Sequence, residues 1–378
     1  MSKAILHHAA LKHRGGAVRV ARLLQAAQIA EGLDARFSFE VEENDPEGLP
    51  AAARQEPAPQ GQHTTPPALA RRAAELPEDG VVHLHTSTDW PAALEGLLDS
   101  GTASGLIVTL HDATPLTGGC AYPLACPHFP ACADPCPRDF PQARMRQAHI
   151  KRLLLRLNPV LVSPSRWLAG LAKAALPGAQ VRVIPNGAPW PETLTPRQEA
   201  RKTLGLAPGV PVALFAAHGG ARAAYKSGSA WPDHFARIKA AVPECLGFAV
   251  GGDEAASHDG LTIWPYLDRA KLALLMRAAD CLVYPTLADN HPLVLLEAAA
   301  QELPVASFSV GGVPEIVRHG ETGLLAAPGD LGALLAHAVS LLTQPTLART
   351  QGRAARNHGG KRFNAERMAA DYRKLMGE

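Results

Sequence analysis

The chain has 378 residues, 47% apolar and 19% charged, with 37 Lys and Arg against 35 Asp and Glu. That balance excludes an intrinsically disordered chain, and with no basic surplus no nucleic-acid partner is expected. The length exceeds one ordinary hydrophobic core and predicts two domains. No apolar run reaches the roughly 20 residues that span a bilayer. The opening MSKAILHHAALKHRGG has an apolar stretch too short and too rich in His to read as a signal peptide. A cytoplasmic, soluble enzyme is the default, with peripheral contact at the inner face of a membrane left open.

In chain order, short β-branched runs alternate with longer Ala/Leu-rich helical patterns. AILHHA reads as a buried strand, and a loop carrying Gly15 and Gly16 leads into AVRVARLLQAAQIAEGL, which repeats apolar residues at helical spacing. ARFSFEV, VVHLHT and GLIVTLHD read as further strands, and VLVSPSRWLAGLAKAAL as a strand running into a helix. The proline-rich stretch between Asp45 and Pro67 has no periodicity and reads as a flexible excursion. A second series begins near 211 with VALFAA, LGFAVGG, CLVYPT, PVASFS and GLLAA, with helical patterns at 268–279, 292–301 and 330–343. RVIPNGAPWPETLTP suits a linker, and NAERMAADYRKLM is an amphipathic terminal helix that Asn364 can cap. Near-continuous apolar strands separated by helices predict an α/β fold: two Rossmann-like parallel-sheet domains facing across a cleft. The boundaries expected are 1–185, 186–360 and a terminal helix over 361–378 that packs back toward the first domain. Ligands of open α/β sheets bind at the carboxyl ends of the strands.

Five features carry chemistry. Gly15-Gly16 lets backbone amides approach an anion at a helix N-terminus, although a tight βα turn also accounts for it. His111 directly follows a buried strand, where it either contacts a substrate or caps its own loop. Cys120, Cys126, Cys132 and Cys136 fall in one proline-studded segment; a structural four-thiolate zinc site leads over two disulfides or free thiols. Arg222 and Lys226 follow a strand and can grip phosphate oxygens, or simply form a solvated loop. Finally, CLVYPTLADNHPLVLLEAAAQ sets Asp289 in a loop and Glu297 inside an apolar helix. A carboxylate can accept two hydrogen bonds from vicinal sugar hydroxyls. The amides around Asn290, His291, Pro292 and Leu293 open the helix and suit a phosphate. A favourable helix dipole explains the presence of Glu297 but not its place between Leu296 and Ala298.

The order of VSPSRWLA, VIPNGAP, RAADCLVYPT and DNHPLVLLEAAAQELPVASFSVGGVPEIVRHGETGLLAAPGD resembles the retaining, nucleotide-sugar-dependent glycosyltransferases of family 4 (group 1), which have the GT-B fold. The resemblance implies a hexose moved from a UDP- or GDP-sugar to a hydroxyl of a glycan or lipid-linked acceptor, in surface polysaccharide synthesis. It implies that Glu297 holds the donor ribose and that Asp289 holds hydroxyls of the transferred sugar. Asp289 stands where the family has Glu, so sugar specificity is sought there first. The resemblance further places Gly15 and Gly16 near the diphosphate and His111 at the donor sugar. Arg222 and Lys226 would sit at the phosphates, although Ser227 intervenes before the glycine expected to follow Lys226. No catalytic metal is expected, because Lys, Arg and helix-start amides can stabilise the leaving diphosphate. Two further readings stay open: a sugar-nucleotide epimerase or phosphorylase on the same fold, and a non-catalytic, metal-stabilised sugar-nucleotide-binding protein.

Overall fold

The computed structural model describes residues 4–42, 61–101, 105–216, 225, 230–251, 254–265 and 267–377. They form two compact units, Met1–Asn186 with Met368–Glu378, and Gly187–Arg367. In the first unit seven strands lie parallel: β1 (Ala4–Leu11), β2 (Asp34–Val41), β3 (Gly61–His63), β4 (Val81–Leu84), β5 (Gly105–Thr109), β6 (Val160–Ser163) and β7 (Val181–Val183). Their spatial order is β3-β2-β1-β4-β5-β6-β7. The helices between them are α1 (Gly16–Ala30), α2 (Leu69–Ala74), α3 (Trp90–Asp99), α4 (Ala143–Leu157) and α5 (Arg166–Ala175).

The second unit starts with α6 (Arg197–Thr203) and holds β8 (Val212–Ala216), β9 (Leu246–Val250), β10 (Ala256–His258), β11 (Leu261–Trp264), β12 (Cys281–Tyr284), β13 (Val305–Phe308) and β14 (Gly323–Ala326). Its order is β10-β11-β9-β8-β12-β13-β14, parallel except for the β10–β11 hairpin at the edge. The remaining helices are α7 (Trp231–Ala241), α8 (Arg269–Ala278), α9 (Leu293–Ala300), α10 (Val313–Ile316), α11 (Leu331–Thr343), α12 (Pro345–Gly360) and α13 (Ala365–Met376). Asn364 caps α13, its Oδ1 accepting from the Arg367 amide at 2.6 Å. Each sheet contains the doubly wound order in which strand succession reverses next to the first strand, between β1 and β4 and between β8 and β12.

One part of the sequence reading is corrected. The stretch from Asp45 to Pro67 is not structureless throughout: Gly61–His63 adds edge strand β3 beside β2, and Pro66–Ala68 forms a 3₁₀ turn leading into α2. Prolines concealed both, because only three residues pair and the periodicity of a three-residue strand is invisible. Residues 43–60 lie outside the described residues.

Both faces of the first sheet are covered, and the two-residue period of a strand sorts its side chains between them. Leu6, Val82, Leu84, Val108 and Leu110 pack with Leu94, Leu153, Leu154 and Leu168 of α3, α4 and α5. Ala9, Phe37 and Phe39 pack on the other face with Val18 and Ala21 of α1. The same parity sends His7 of β1, and His83 and His85 at the end of β4, toward the α1 face, where none is more than 2% exposed. Burial disfavours the imidazolium. It pushes His7 down to about 4, helped by the nearby Arg22 charge, and His83 and His85 well below the usual range.

After β5 the chain runs from Thr117 to Gln142 without a regular helix, and α4 organises this segment through one side chain. Buried Gln147 accepts from the Cys132 amide at 2.7 Å and donates to the carbonyls of Leu116 at 2.8 Å and Pro130 at 3.0 Å. A single amide thus satisfies three backbone groups that an irregular segment would otherwise leave without partners.

Two outcomes follow. Gln147→Met, similar in volume but without the amide, lowers unfolding free energy by about 2–4 kcal/mol, since buried backbone groups lose their partners; urea titration measures it. The buried histidines take up protons in the unfolded chain below about pH 6.5 but not in the folded one until far lower. Stability is therefore full above that pH and is lost as pH falls toward the folded values, by about 2 kcal/mol for His7 alone at pH 5. Urea midpoints at pH 7.5 and 5 that coincide would contradict this.

Candidate active site

The first group of predicted residues lies at the carboxyl ends of β1 and β5. Gly15 immediately precedes α1 with φ of 97°, a left-handed conformation that side chains rarely adopt, and no atom crowds it within 4 Å. Its carbonyl accepts from Arg19, and Gly16 opens the helix, so Gly15 and Gly16 form the backbone corner at the N-terminus of α1. His111 stands two residues beyond β5, and its Nε2 lies 3.0 Å from Nδ1 of His85. Burial pushes His111 down to about 3, so the ring is neutral at physiological pH.

His85 was not singled out from the sequence, nor was His7, whose Nδ1 lies 3.1 Å from His85 Nε2. The available signal was the alternation in His83-Leu84-His85, which puts both rings on one face of a strand. Beside them His83 Nε2 lies 2.7 Å from Thr109 Oγ1, which is 2.8 Å from the Tyr372 hydroxyl on α13. His8, of opposite parity, reaches Ser38 Oγ at 2.8 Å and Glu40 Oε1 at 3.0 Å instead.

The second group sits at the carboxyl end of β12, beside β8, where the strand succession of the second sheet reverses. Asp289 is 8% exposed, and donors reach both of its carboxylate oxygens: the Tyr284 hydroxyl at 2.6 Å to Oδ2 and the Asn290 amide at 2.8 Å to Oδ1. Its carbonyl accepts from the Gly312 amide at 3.0 Å. Gly311, at φ of 56°, passes so close that a Cβ there would lie 2.1 Å from the Asp289 carbonyl oxygen. The Gly-Gly-Val-Pro-Glu motif is thereby explained: its glycines let the loop after β13 clasp the loop after β12. The Leu287 amide donates to the Tyr225 carbonyl at 2.6 Å, which ties down the tip.

Pro292 stands at the N-cap of α9, one residue ahead of the helical turn expected for it, and as a proline it offers no N–H to a ligand. The Asn290 amide is already engaged by Asp289. Pro292 and the engaged Asn290 amide thus narrow the set of helix-start donors that the sequence implied. His291 is 3% exposed, packs edge-on to Phe363 with centroids 5.2 Å apart, and is pushed down to about 3 by burial. Its ring is part of the packing that seats α9 rather than a surface group. Within α9, Leu295, Leu296, Ala298, Ala299 and Ala300 are buried, whereas Val294 and Glu297 are half-buried. Three residues apart, these two share the less covered face of the helix.

Arg222 and Lys226 lie outside the described residues. The four cysteines of the proline-rich segment are free thiols, Cys120 buried and Cys126, Cys132 and Cys136 half-buried. The Gly118 amide donates to Cys132 Sγ at 3.3 Å, and burial raises the Cys120 and Cys132 thiols. The expected four-thiolate cluster is not assembled. Among the described residues, three or more metal-binding atoms come within 4.8 Å of one another only at His7, His83 and His85. The rings of His83 and His85 stack with centroids 3.9 Å apart and a tilt of 31°. The ring nitrogens of this group are already engaged: both of His7, both of His85 and Nε2 of His83 have side-chain hydrogen-bond partners.

Residues 232–344 match the family model Glycosyl transferases group 1. A glycogen synthase of Mycobacterium tuberculosis is 36% identical over 120 residues, 31% of this chain and 29% of the relative. An N-acetyl-alpha-D-glucosaminyl L-malate synthase of Bacillus anthracis is 34% identical over 101 residues, 27% of this chain and 26% of the relative. The chain thus spans less than a third of the length of these curated relatives. Among solved structures, a sucrose-phosphate synthase from Thermosynechococcus elongatus superposes with a TM-score of 0.74 at 20% identity over 99% of both chains. Anabaena Alr3699/HepE in complex with UDP-glucose gives 0.73 at 17% identity, again over 99% of both. The second unit of this chain accordingly contains a glycosyl transferases group 1 domain, carried on the two-sheet α/β GT-B fold of solved glycosyltransferases.

Proposed function

We propose that the chain is a retaining hexosyltransferase that moves a sugar from a nucleoside-diphosphate donor, a UDP- or GDP-sugar, to a hydroxyl of a glycan or lipid-linked acceptor. The observation that carries this reading is the loop–helix unit after β12: Asp289, the helix-start amides of α9 and half-buried Glu297 stand together at the strand reversal of a group 1 domain. The Anabaena Alr3699/HepE complexes with UDP and with UDP-glucose support the donor class. A complex of S. aureus TarM that holds Fondaparinux supports a glycan acceptor. Surface polysaccharide synthesis on the cytoplasmic side of a membrane is the setting proposed; no single helix among the described residues is long and apolar enough to cross one.

The roles follow from charge. Cleaving the sugar–phosphate bond develops positive character on the anomeric carbon and negative charge on the departing diphosphate. Amides at the start of α9 offer fixed dipoles to that charge. Glu297 accepts from the ribose hydroxyls. Asp289, oriented by Tyr284 and the Asn290 amide, accepts from hydroxyls of the transferred sugar. The departing phosphate oxygen takes the acceptor's proton, so no protein base is required for that step.

A thermal-shift panel of nucleotide sugars identifies the donor, because a ligand of the folded state raises its melting temperature by mass action. With that donor, Glu297→Ala weakens nucleotide binding about 10- to 100-fold by calorimetry, the worth of bonds to a charged acceptor. Undiminished binding and turnover would remove Glu297 from the ribose. Asp289→Asn leaves UDP or GDP affinity within about threefold while transfer falls about tenfold or more. Release of free sugar from the donor at an undiminished rate without acceptor would point to an epimerase or phosphorylase instead.

A further inference from the structure

The second unit holds a cavity of about 190 Å³ away from the loop that carries Asp289. It opens at the amino ends of β12 and β13, so β12 itself, four residues and about 13 Å long, separates it from the loops at the carboxyl ends. Six charged side chains line it: Arg197 of α6, Arg277 of α8, Asp280 just before β12, Glu302 just before β13, and Arg349 and Arg353 of α12. The rest of the wall is apolar.

Arg197 donates to Asp280 Oδ1 at 2.6 Å, and Arg277 to Glu302 Oε2 at 2.9 Å. The second Asp280 oxygen accepts from the Val212 amide at 2.9 Å. Each carboxylate is thus neutralised by an arginine of its own, and Arg349 and Arg353 are left over. Among the described residues Arg353 has no hydrogen-bond or ion-pair partner, and Arg349 reaches only the Thr346 hydroxyl, at 3.5 Å. Four residues apart, the two arginines share one face of α12, a helix of 16 residues with no acidic member. Like charges at that spacing destabilise a helix. Burial lowers the Arg197 guanidinium from its ordinary value against the pull of Asp280, and the charges of Arg201, Arg277 and Arg349 add to the fall. Gly352 brings α12 this close, since a Cβ there would lie 2.0 Å from the Glu302 carbonyl oxygen. Glu302 itself has φ of 57°, so a carboxylate stands where the backbone favours glycine.

We propose that this cavity binds a small hydroxylated phosphate monoester, gripped by Arg349 and Arg353. Four arginines against two carboxylates leave an excess of two positive charges, and a phosphate monoester carries a charge of about −2 at neutral pH. Guanidinium forks meet phosphate oxygens bidentately, which fixes the orientation of the group. Glu302 Oε1, which Arg277 does not engage, accepts a hydroxyl from the carbon skeleton of the ester. Drug-sized ligands occupy pockets of roughly 300 Å³ or more, so a nucleotide sugar is too large here. The site is therefore distinct from that of the donor in both place and ligand.

The test is calorimetry of the full chain with glycerol 3-phosphate, inorganic phosphate and glycerol, repeated on a double variant, Arg349→Gln with Arg353→Gln. The ester is expected to bind about tenfold tighter than inorganic phosphate, and glycerol not to bind. The double variant is expected to lose about tenfold or more in ester affinity while UDP or GDP affinity stays within about threefold. Its melting temperature without ligand is expected to hold or rise, because two repelling charges are gone; a fall would mark the arginines as structural and overturn the site. Ester affinity unchanged in the double variant means an adventitious ion only, and also overturns it. An ester bound no tighter than inorganic phosphate overturns the hydroxyl contact and with it the ligand class. The single variants decide the matter should the double one fail to fold. A wild type that binds the ester but no nucleotide sugar would keep this site and remove the donor reading, which separates the two claims.

Discussion

Covering a parallel sheet on both faces forces every strand to divide its side chains between two helix layers. In the first unit this one constraint governs what is chemically available. Leu6, Leu84 and Leu110 go to the face of α3, α4 and α5, while His7, His85 and His111 go to the face of α1. His7 and His8 are neighbours in sequence, yet one joins a line of rings and the other a separate group with Ser38 and Glu40. A shift of register by a single residue would exchange their environments and dismantle both.

The second unit obeys the same rule with a different result. Its strands β12 and β13 are wholly buried and apolar but for the Tyr284 hydroxyl and Ser307, which donates to the Tyr284 carbonyl at 2.8 Å. Polarity is confined to the loops at their carboxyl ends. There one buried carboxylate, Asp289, is held by Tyr284 from its own strand and by the next amide in the loop, while its carbonyl holds Gly312. The loop is thus shaped by its own acidic residue before any ligand arrives. That preorganisation is what an electrostatic site needs, since dipoles already in place cost nothing to reorient when charge develops.

Much of this was legible in the residues. The alternation of apolar strands and helical patterns marked β8, β9, β12, β13 and β14 and the helices α8, α9 and α11, though not the short β10–β11 hairpin or α6, α7, α10 and α12, and the placement of Glu297 in an otherwise greasy α9 was visible as an anomaly. The short strand β3 was hidden by prolines. The burial of His291 was hidden because only the position of Phe363, more than seventy residues later, decides whether that ring faces ligand or core. The cysteine spacing suggested a metal cage, but the conformation of that segment depends on Gln147 of α4, and a helical glutamine gives no local sign of reaching three backbone groups.

By itself the sequence determined what is local: which segments are strands or helices, where the chain turns at Gly15 and Gly311, and which carboxylates are out of place. Hydrophobic period and glycine conformation are properties of a few consecutive residues, and they survive in the linear text. Tertiary structure alone decided partnership. The file from Gln28 through His7 and His85 to His111 joins one helix, the middle of β1 and the residues just beyond β4 and β5, and the clasp of Asp289 by Tyr284 and Gly312 joins the loops after two strands. Such contacts form only once strand order and register bring distant residues within hydrogen-bonding distance, and no short stretch of sequence encodes that order.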